Sequence, residues 1–120
     1  MPSAVVVTMR VADSEEFRAL LTDPADIAIA YELLSGERES AIPNAVVVRG
    51  DASVNTGYSW HMDPETFEWA DMTIEVCDGL PSHVEDNTVT SDRYCPWSAV
   101  VIAVEPYGET GETSVGSPGY

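Results

Sequence analysis

Apolar residues in this chain come in short blocks, each cut by a cluster of turn-forming residues. "AVVVTMRV" at 4–11 and "EEFRALL" at 15–21 flank "ADS", the pattern of two strands joined by a tight turn. The second block also suits a helical turn. "TDPADIAIAYELLSG" is the clearest helix: Thr22 or Asp23 caps it, Pro24 fits the first turn, Asp26 suits the positive end and Gly36 supplies the left-handed stop. Ile27, Ala30, Tyr31 and Leu34 recur at helical spacing, so one apolar stripe faces the core.

After the polar link "ERESAIPN", "AVVVRG" reads as a strand and "DASVNTG" breaks it with Asn and Gly turn chemistry. "YSWHM" alternates into the turn "DPETFEWAD", and "MTIEVCD" resumes strand. Ser82 followed by Glu85 forms a capping-box pattern for about two helical turns, and "YCPWSAVVIAVEP" closes as a β-branched strand. The strands lie too close together for a wound βαβ series. The expected fold is α+β, a single mainly antiparallel sheet of five or six strands packed by a main helix at about 24–35 and a short second helix at about 82–88. Residues 1–105 read as one domain, and the Gly, Ser and Thr rich stretch 106–120 as a flexible tail.

Charge narrows the function classes. The 120 residues carry 21 Asp plus Glu against 5 Arg, with no Lys, for a formal net charge of −16. Such a surface repels itself at low salt, whereas at molar salt the Debye length is about 3 Å and the penalty largely disappears. The carboxylates are spread along the chain, which favours adaptation to high salt over a nucleic-acid mimic or a partner for a basic protein. Direct nucleic-acid binding is disfavoured because phosphate contacts need a basic patch. The apolar runs are far shorter than the roughly 20 residues of a membrane span. The N-terminus has no signal-peptide pattern, so the chain as it stands reads as cytoplasmic, and as extracellular if a leader was removed.

Candidate chemistry concentrates in "YSWHMDPETFEWADMTIEVCDG", residues 58–79. Strand alternation places His61 and Asp63 on one face and Trp60 and Met62 on the other. If the following strand pairs with this one, His61, Asp63, Glu75 and Cys77 offer the ligand types zinc accepts, with Asp78 adjacent, while Asp63, Glu65 and Asp78 suit calcium. The plainer alternative makes Asp63-Pro64 a turn with His61 bonded to it, and no cofactor. Cys77 and Cys95 are the only cysteines, and read as a disulfide, as two buried free thiols, or as a nucleophile at Cys77 beside His61 or His83. The aromatic rings read as core, with Trp97 packed against a disulfide and Tyr58 and Trp60 as the exposed exceptions. Ser59, His61 and Asp63 spell a triad on paper, with no glycine elbow or oxyanion signal beside them.

"LTDPADIAIAYELLSG", "YSWHMDP", "DMTIEVCDGLPSHVED" and "YCPWSAVV" resemble a family of small bacterial and archaeal proteins. That family also covers the N-terminal domain of a calcium-associated social-amoeba protein, and some members carry a calmodulin-like label. The resemblance runs from about residue 17 to 104 and implies that Trp60, His61, Asp63, Pro64, Cys77, Asp78, Cys95, Pro96 and Trp97 form one shared module. Many relatives are exported, which favours the disulfide. The segments after Cys77-Asp78 and before Cys95 are shorter here than the family pattern, and there is no D-x-D-x-D-G calcium loop.

The leading expectation is a non-enzymatic binding or interaction module adapted to high salt, with a ligand or partner surface at Tyr58, Trp60, His61, Asp63 and Asp78. A second is an inhibitor of a secreted protease presenting loop 87–94, with Asp92, Arg93 and Tyr94 as bait. A third is a metal-binding protein or metal-dependent hydrolase using His61, Asp63, Glu75 and Asp78. The partner, protein or small molecule, is left open.

Overall fold

The computed structural model describes residues 4–50, 54–72, 77–87 and 91–107. Its elements are β1 (Val5–Val11), β2 (Glu15–Leu21), α1 (Pro24–Ser35), β3 (Ile42–Arg49), β4 (Trp60–Met62), β5 (Glu68–Ala70), α2 (Pro81–Glu85), β6 (Arg93–Tyr94) and β7 (Ala99–Pro106). The α+β class stands, but the single sheet does not: the strands form two antiparallel sheets of three and four strands.

The first sheet has the order β2-β1-β7. Ala12 and Asp13 both take positive φ, 53° and 56°, and the Ser14 N–H donates to the Val11 carbonyl. That turn matches the strands' own twist and fixes β1 and β2 in register from Val5↔Leu21 to Val11↔Glu15. Val5, Val7, Met9 and Val11 alternate onto a buried face with Phe17, Ala19 and Leu21, so the two-residue period of β1 and β2 is read directly as core. β7 pairs along the other side of β1, and beyond it the Tyr107 N–H still donates to the Ala4 carbonyl. The sheet therefore includes residues 106 and 107, the start of the expected tail; the rest of that stretch, 108–120, lies outside the described residues.

The second sheet is organised by β3, which pairs with β5 at Ile42–Asn44, with β6 at Ala45–Val46 and with β4 at Val47–Arg49. Between β4 and β5 the "DPET" turn fills the ladder. The Asp63 N–H donates to the Val46 carbonyl at 2.9 Å, and the Val46 N–H donates to Thr66 Oγ1 at 3.0 Å, so neither backbone group is orphaned. One strand serving three short partners is why four strands here do not extend the first sheet. The strand expected from "MTIEVCD" falls largely on residues 73–76, outside the described residues.

The sheets meet through aromatic rings. Phe17 of β2 lies 5.8 Å from Trp60 of β4 and 5.4 Å from Tyr94 of β6, and Trp60 and Tyr94 meet edge to face at 5.4 Å. α1 starts as expected: Asp23 Oδ1 accepts from the Ala25 N–H and Gly36 closes the helix with φ 88°. It lies against β7 and β5, with Ile27 and Ala30 buried and Tyr31 and Leu33 against the core. Leu34, expected on the buried stripe, is exposed, because the helix is rotated to bring Leu33 inward. Trp69 Nε1 donates to the Asp26 carbonyl and ties α1 to β5. α2 is shorter than expected and its capping box does not form: Ser82 bonds to Glu15 and Glu85 bonds to Ser59, each across the fold.

Candidate functional site

Two places gather the chemically interesting residues, and they differ in how fully their polar groups are used. The first is the corner around α2. Cys77 and Cys95 are joined, with Cα atoms 5.1 Å apart, and the Cys95 N–H donates to the Cys77 carbonyl. Asp78 Oδ1 accepts from the Gly79 and Trp97 N–H groups at 2.9 and 2.8 Å. Tyr94 donates its hydroxyl to the Gly79 carbonyl at 2.7 Å. Burial drives the Tyr94 hydroxyl far above its ordinary value of 10.0, with Asp78 and Glu15 adding to the effect.

Two carboxylates clamp α2 on either side. Glu15 of β2 accepts from both the N–H and the hydroxyl of Ser82, each at 2.8 Å, so an acidic residue from another strand caps this helix. Glu85 accepts from the N–H and hydroxyl of Ser59 at 2.8 and 2.7 Å, and these bonds, with Arg49 nearby, hold its carboxyl below its ordinary value of 4.5. Arg49 donates to the Val84 carbonyl and to Asn87 Oδ1. Tyr58 packs on Trp60, and burial followed by Glu15 and Glu85 raises its hydroxyl.

The second place is the seam where the edges of the two sheets meet. Asn55 is fully buried there, its Oδ1 accepting from the Arg18 N–H at 2.9 Å and its Nδ2 donating to the Trp60 carbonyl at 3.0 Å. One side chain thus satisfies an edge group of β2 and one of β4. Beside it opens a cleft of about 190 Å³ lined by Arg18, Leu20, Val54, His61, Met62, Pro64 and Tyr107. Arg18 Nη1 donates to Thr56 Oγ1 at 3.1 Å. His61 Nδ1 lies 3.2 Å from the Gly50 carbonyl, which can only accept, so the neutral ring is protonated at Nδ1 and carries its lone pair on Nε2.

The residues expected to share one surface are spread over four settings. His61 lines the cleft and Tyr58 faces Glu15 and Glu85. Trp60, expected on that surface, is 0% exposed, because it shares the inward face of β4 with Met62. Asp63 builds its own turn: Oδ1 accepts from the Glu65 N–H and its carbonyl accepts from the Thr66 N–H. Asp78 belongs to the disulfide corner. Trp97, expected to be buried against the disulfide, is 44% exposed, since it sits in the turn between β6 and β7.

The other expectations dissolve into separate contacts. Ser59 is bonded to Glu85, His61 to Gly50 and Asp63 to its turn, so no triad contact links them. Glu75 lies outside the described residues, and among those described no three His, Cys, Asp or Glu side chains gather as metal ligands. Cys77 is bonded and has no free thiolate. In the loop proposed as bait, residues 88–90 lie outside the described residues, and Tyr94 is buried. Arg93 is drawn back onto the sheet, with Nε on Asn44 Oδ1 at 2.8 Å, Nη2 on the Thr66 carbonyl at 3.4 Å and Glu68 at 3.9 Å. Asn55 and Arg18 were not singled out from sequence. The only signal was "NTG", which reads as turn chemistry and says nothing of what the Asn amide reaches.

Fold and seam together define a class: a small α+β domain of two antiparallel sheets, pinned by one disulfide and opened at one edge by a shallow cleft. The sequence matches the BP-74 N-terminal domain over residues 3–108, and the chain belongs to that family. No curated protein and no solved structure matches it.

Proposed function

We propose that this domain is a non-enzymatic binding module whose ligand enters the seam cleft beside His61, rather than a surface running across Trp60 and Asp78. The observation that carries this reading is the cleft's composition: an apolar lining of Leu20, Val54, Met62, Pro64 and Tyr107 with two polar side chains, Arg18 and His61, at a junction of sheets. Binding sites favour that mixture, an apolar wall for affinity and a few placed polar groups for orientation. Its size, about 190 Å³, suits a ligand smaller than a drug-sized molecule. The corner around α2 supports the same reading by contrast, since its carboxylates are engaged in holding the helix.

The test is an amide-resolved NMR titration with a panel of single-ring fragments. Saturable shifts confined to Arg18, Leu20, Val54, His61 and Met62, and lost when Leu20→Trp fills the cleft, support the reading. A panel that produces no cleft-confined shift overturns it. The acidic surface belongs to the same proposal as adaptation to high salt. A melting temperature that does not rise between 0.1 and 3 M potassium chloride would remove that part.

A further inference from the structure

We infer that the cleft takes a small organic carboxylate, anchored by Arg18; this rests on the cleft being the binding site. The first ground is the distribution of cations. With 21 acidic residues and 5 Arg, a guanidinium in this chain is surrounded by potential partners. Arg10, Arg38 and Arg93 lie within ion-pair distance of Glu16, Glu32 and Glu68. Arg18 pairs with no carboxylate among the described residues; its guanidinium bonds to the neutral Thr56 hydroxyl and lines the cleft.

The second ground is how firmly Arg18 is held. Its backbone N–H is fixed by the buried Asn55 and one guanidinium nitrogen by Thr56, so the fork is placed before any ligand arrives. A guanidinium has five N–H donors and matches a carboxylate with two parallel bonds, and the Thr56 contact occupies only one of the five. Ordering the side chain in advance removes part of the entropy cost of binding.

The third ground selects the ligand's body and charge. The rest of the lining is mainly apolar, and a cavity of about 150 Å³ accommodates benzene. A cleft of about 190 Å³ therefore suits one ring or a short branched alkyl group with a carboxylate attached. One cation matches one negative charge. In a chain of net charge −16 a polyanion meets repulsion from every side, whereas a monoanion held at contact by Arg18 lies within the roughly 8 Å over which charges act at physiological salt.

The experiment is an amide-resolved NMR titration of the full chain at fixed ionic strength with sodium benzoate, benzyl alcohol and inorganic phosphate. A charge-assisted pair is worth about 1.5–3 kcal/mol, so benzoate is expected to saturate the cleft amides at least about tenfold more tightly than benzyl alcohol. Phosphate alone is expected to give no saturable shift there. Arg18→Gln should reduce benzoate to the level of the alcohol. Equal affinity for benzoate and the alcohol overturns the carboxylate assignment while leaving the cleft as a binding site. Phosphate binding as tightly as benzoate overturns the apolar body. If no single-ring fragment binds in the cleft, both proposals fall together. The benzoate-to-alcohol comparison uses the unaltered chain, so it decides the matter whether or not the Arg18 variant folds.

Discussion

The corner around α2 and the seam beside Asn55 are built from the same kinds of residue but leave opposite remainders. At the corner Glu15, Glu85, Asp78 and Tyr94 each reach a partner within the protein, and the result is a clamped helix next to a disulfide. At the seam Asn55 consumes the edge groups of both sheets, while Arg18 and His61 line an open cleft with much of their bonding capacity left over. A dense run of polar and aromatic residues in sequence therefore marks structural bonding here. The better ligand candidate is assembled from strands whose local sequence looks ordinary.

The sharpest way to break the comparison is to remove the corner's covalent pin. Replacing both cysteines, Cys77→Ala with Cys95→Ala, reopens a loop with sequence separation 18, which should cost about 3 kcal/mol in the chain-entropy account. Urea denaturation measures it. If the two regions are independent, fragment binding at the seam persists wherever the variant is folded. Asn55→Ala attacks the seam itself and strands a buried N–H on Arg18 and a carbonyl on Trp60, for a loss of about 2 kcal/mol or more. Unlike the cysteine variant, it should also abolish cleft binding, because the Arg18 backbone loses its anchor.

What could be seen in the sequence follows the same division. α1 was legible to its ends because Asp23, Pro24 and Gly36 act locally, through caps that need no distant partner. The β1–β2 hairpin was legible for the same reason. The division into two sheets was not, since it depends on β3 choosing three partners from residues 60–94, and strand period says only which residues point inward. Trp60 and Trp97 exchanged their expected roles because burial depends on which face of a strand or turn meets the other sheet. His61 was picked from sequence and lines the cleft, but Arg18, 43 positions earlier, reaches the same cleft only through the meeting of β2 and β4.

Finer tests sharpen the picture of the corner. Tyr94→Phe removes the bond to the Gly79 carbonyl and should cost about 1 kcal/mol at neutral pH. The Tyr94 hydroxyl is raised in the folded state, so its contribution is full below pH 10.0 and is lost as pH rises beyond it, where the unfolded chain ionises first. The Phe variant should therefore show a shallower alkaline fall in denaturation midpoint. Glu85 has the opposite sign: its carboxyl is lowered, so its contribution is present above pH 4.5 and disappears as pH falls through the lower folded value. Glu85→Gln should flatten part of the acid limb and leave the alkaline limb unchanged, and an unaltered acid limb would mean that the Ser59 clamp has no weight in solution.

The smallest expected effect on stability carries the most weight for function. Arg18→Gln leaves the backbone bond from position 18 to Asn55 in place and removes one hydrogen bond to Thr56 at the surface, so its denaturation midpoint should move by no more than about 0.5 kcal/mol. It also removes one of only 5 positive charges from a chain of net charge −16, and that general repulsion fades as salt is added. A variant as stable as the parent at high salt, but unable to prefer benzoate over benzyl alcohol, would show that Arg18 is held for a ligand rather than for the fold. A loss of about 2 kcal/mol that salt does not relieve would place Arg18 with Glu15 and Glu85, as one more tie between elements, and the contrast between corner and seam would vanish.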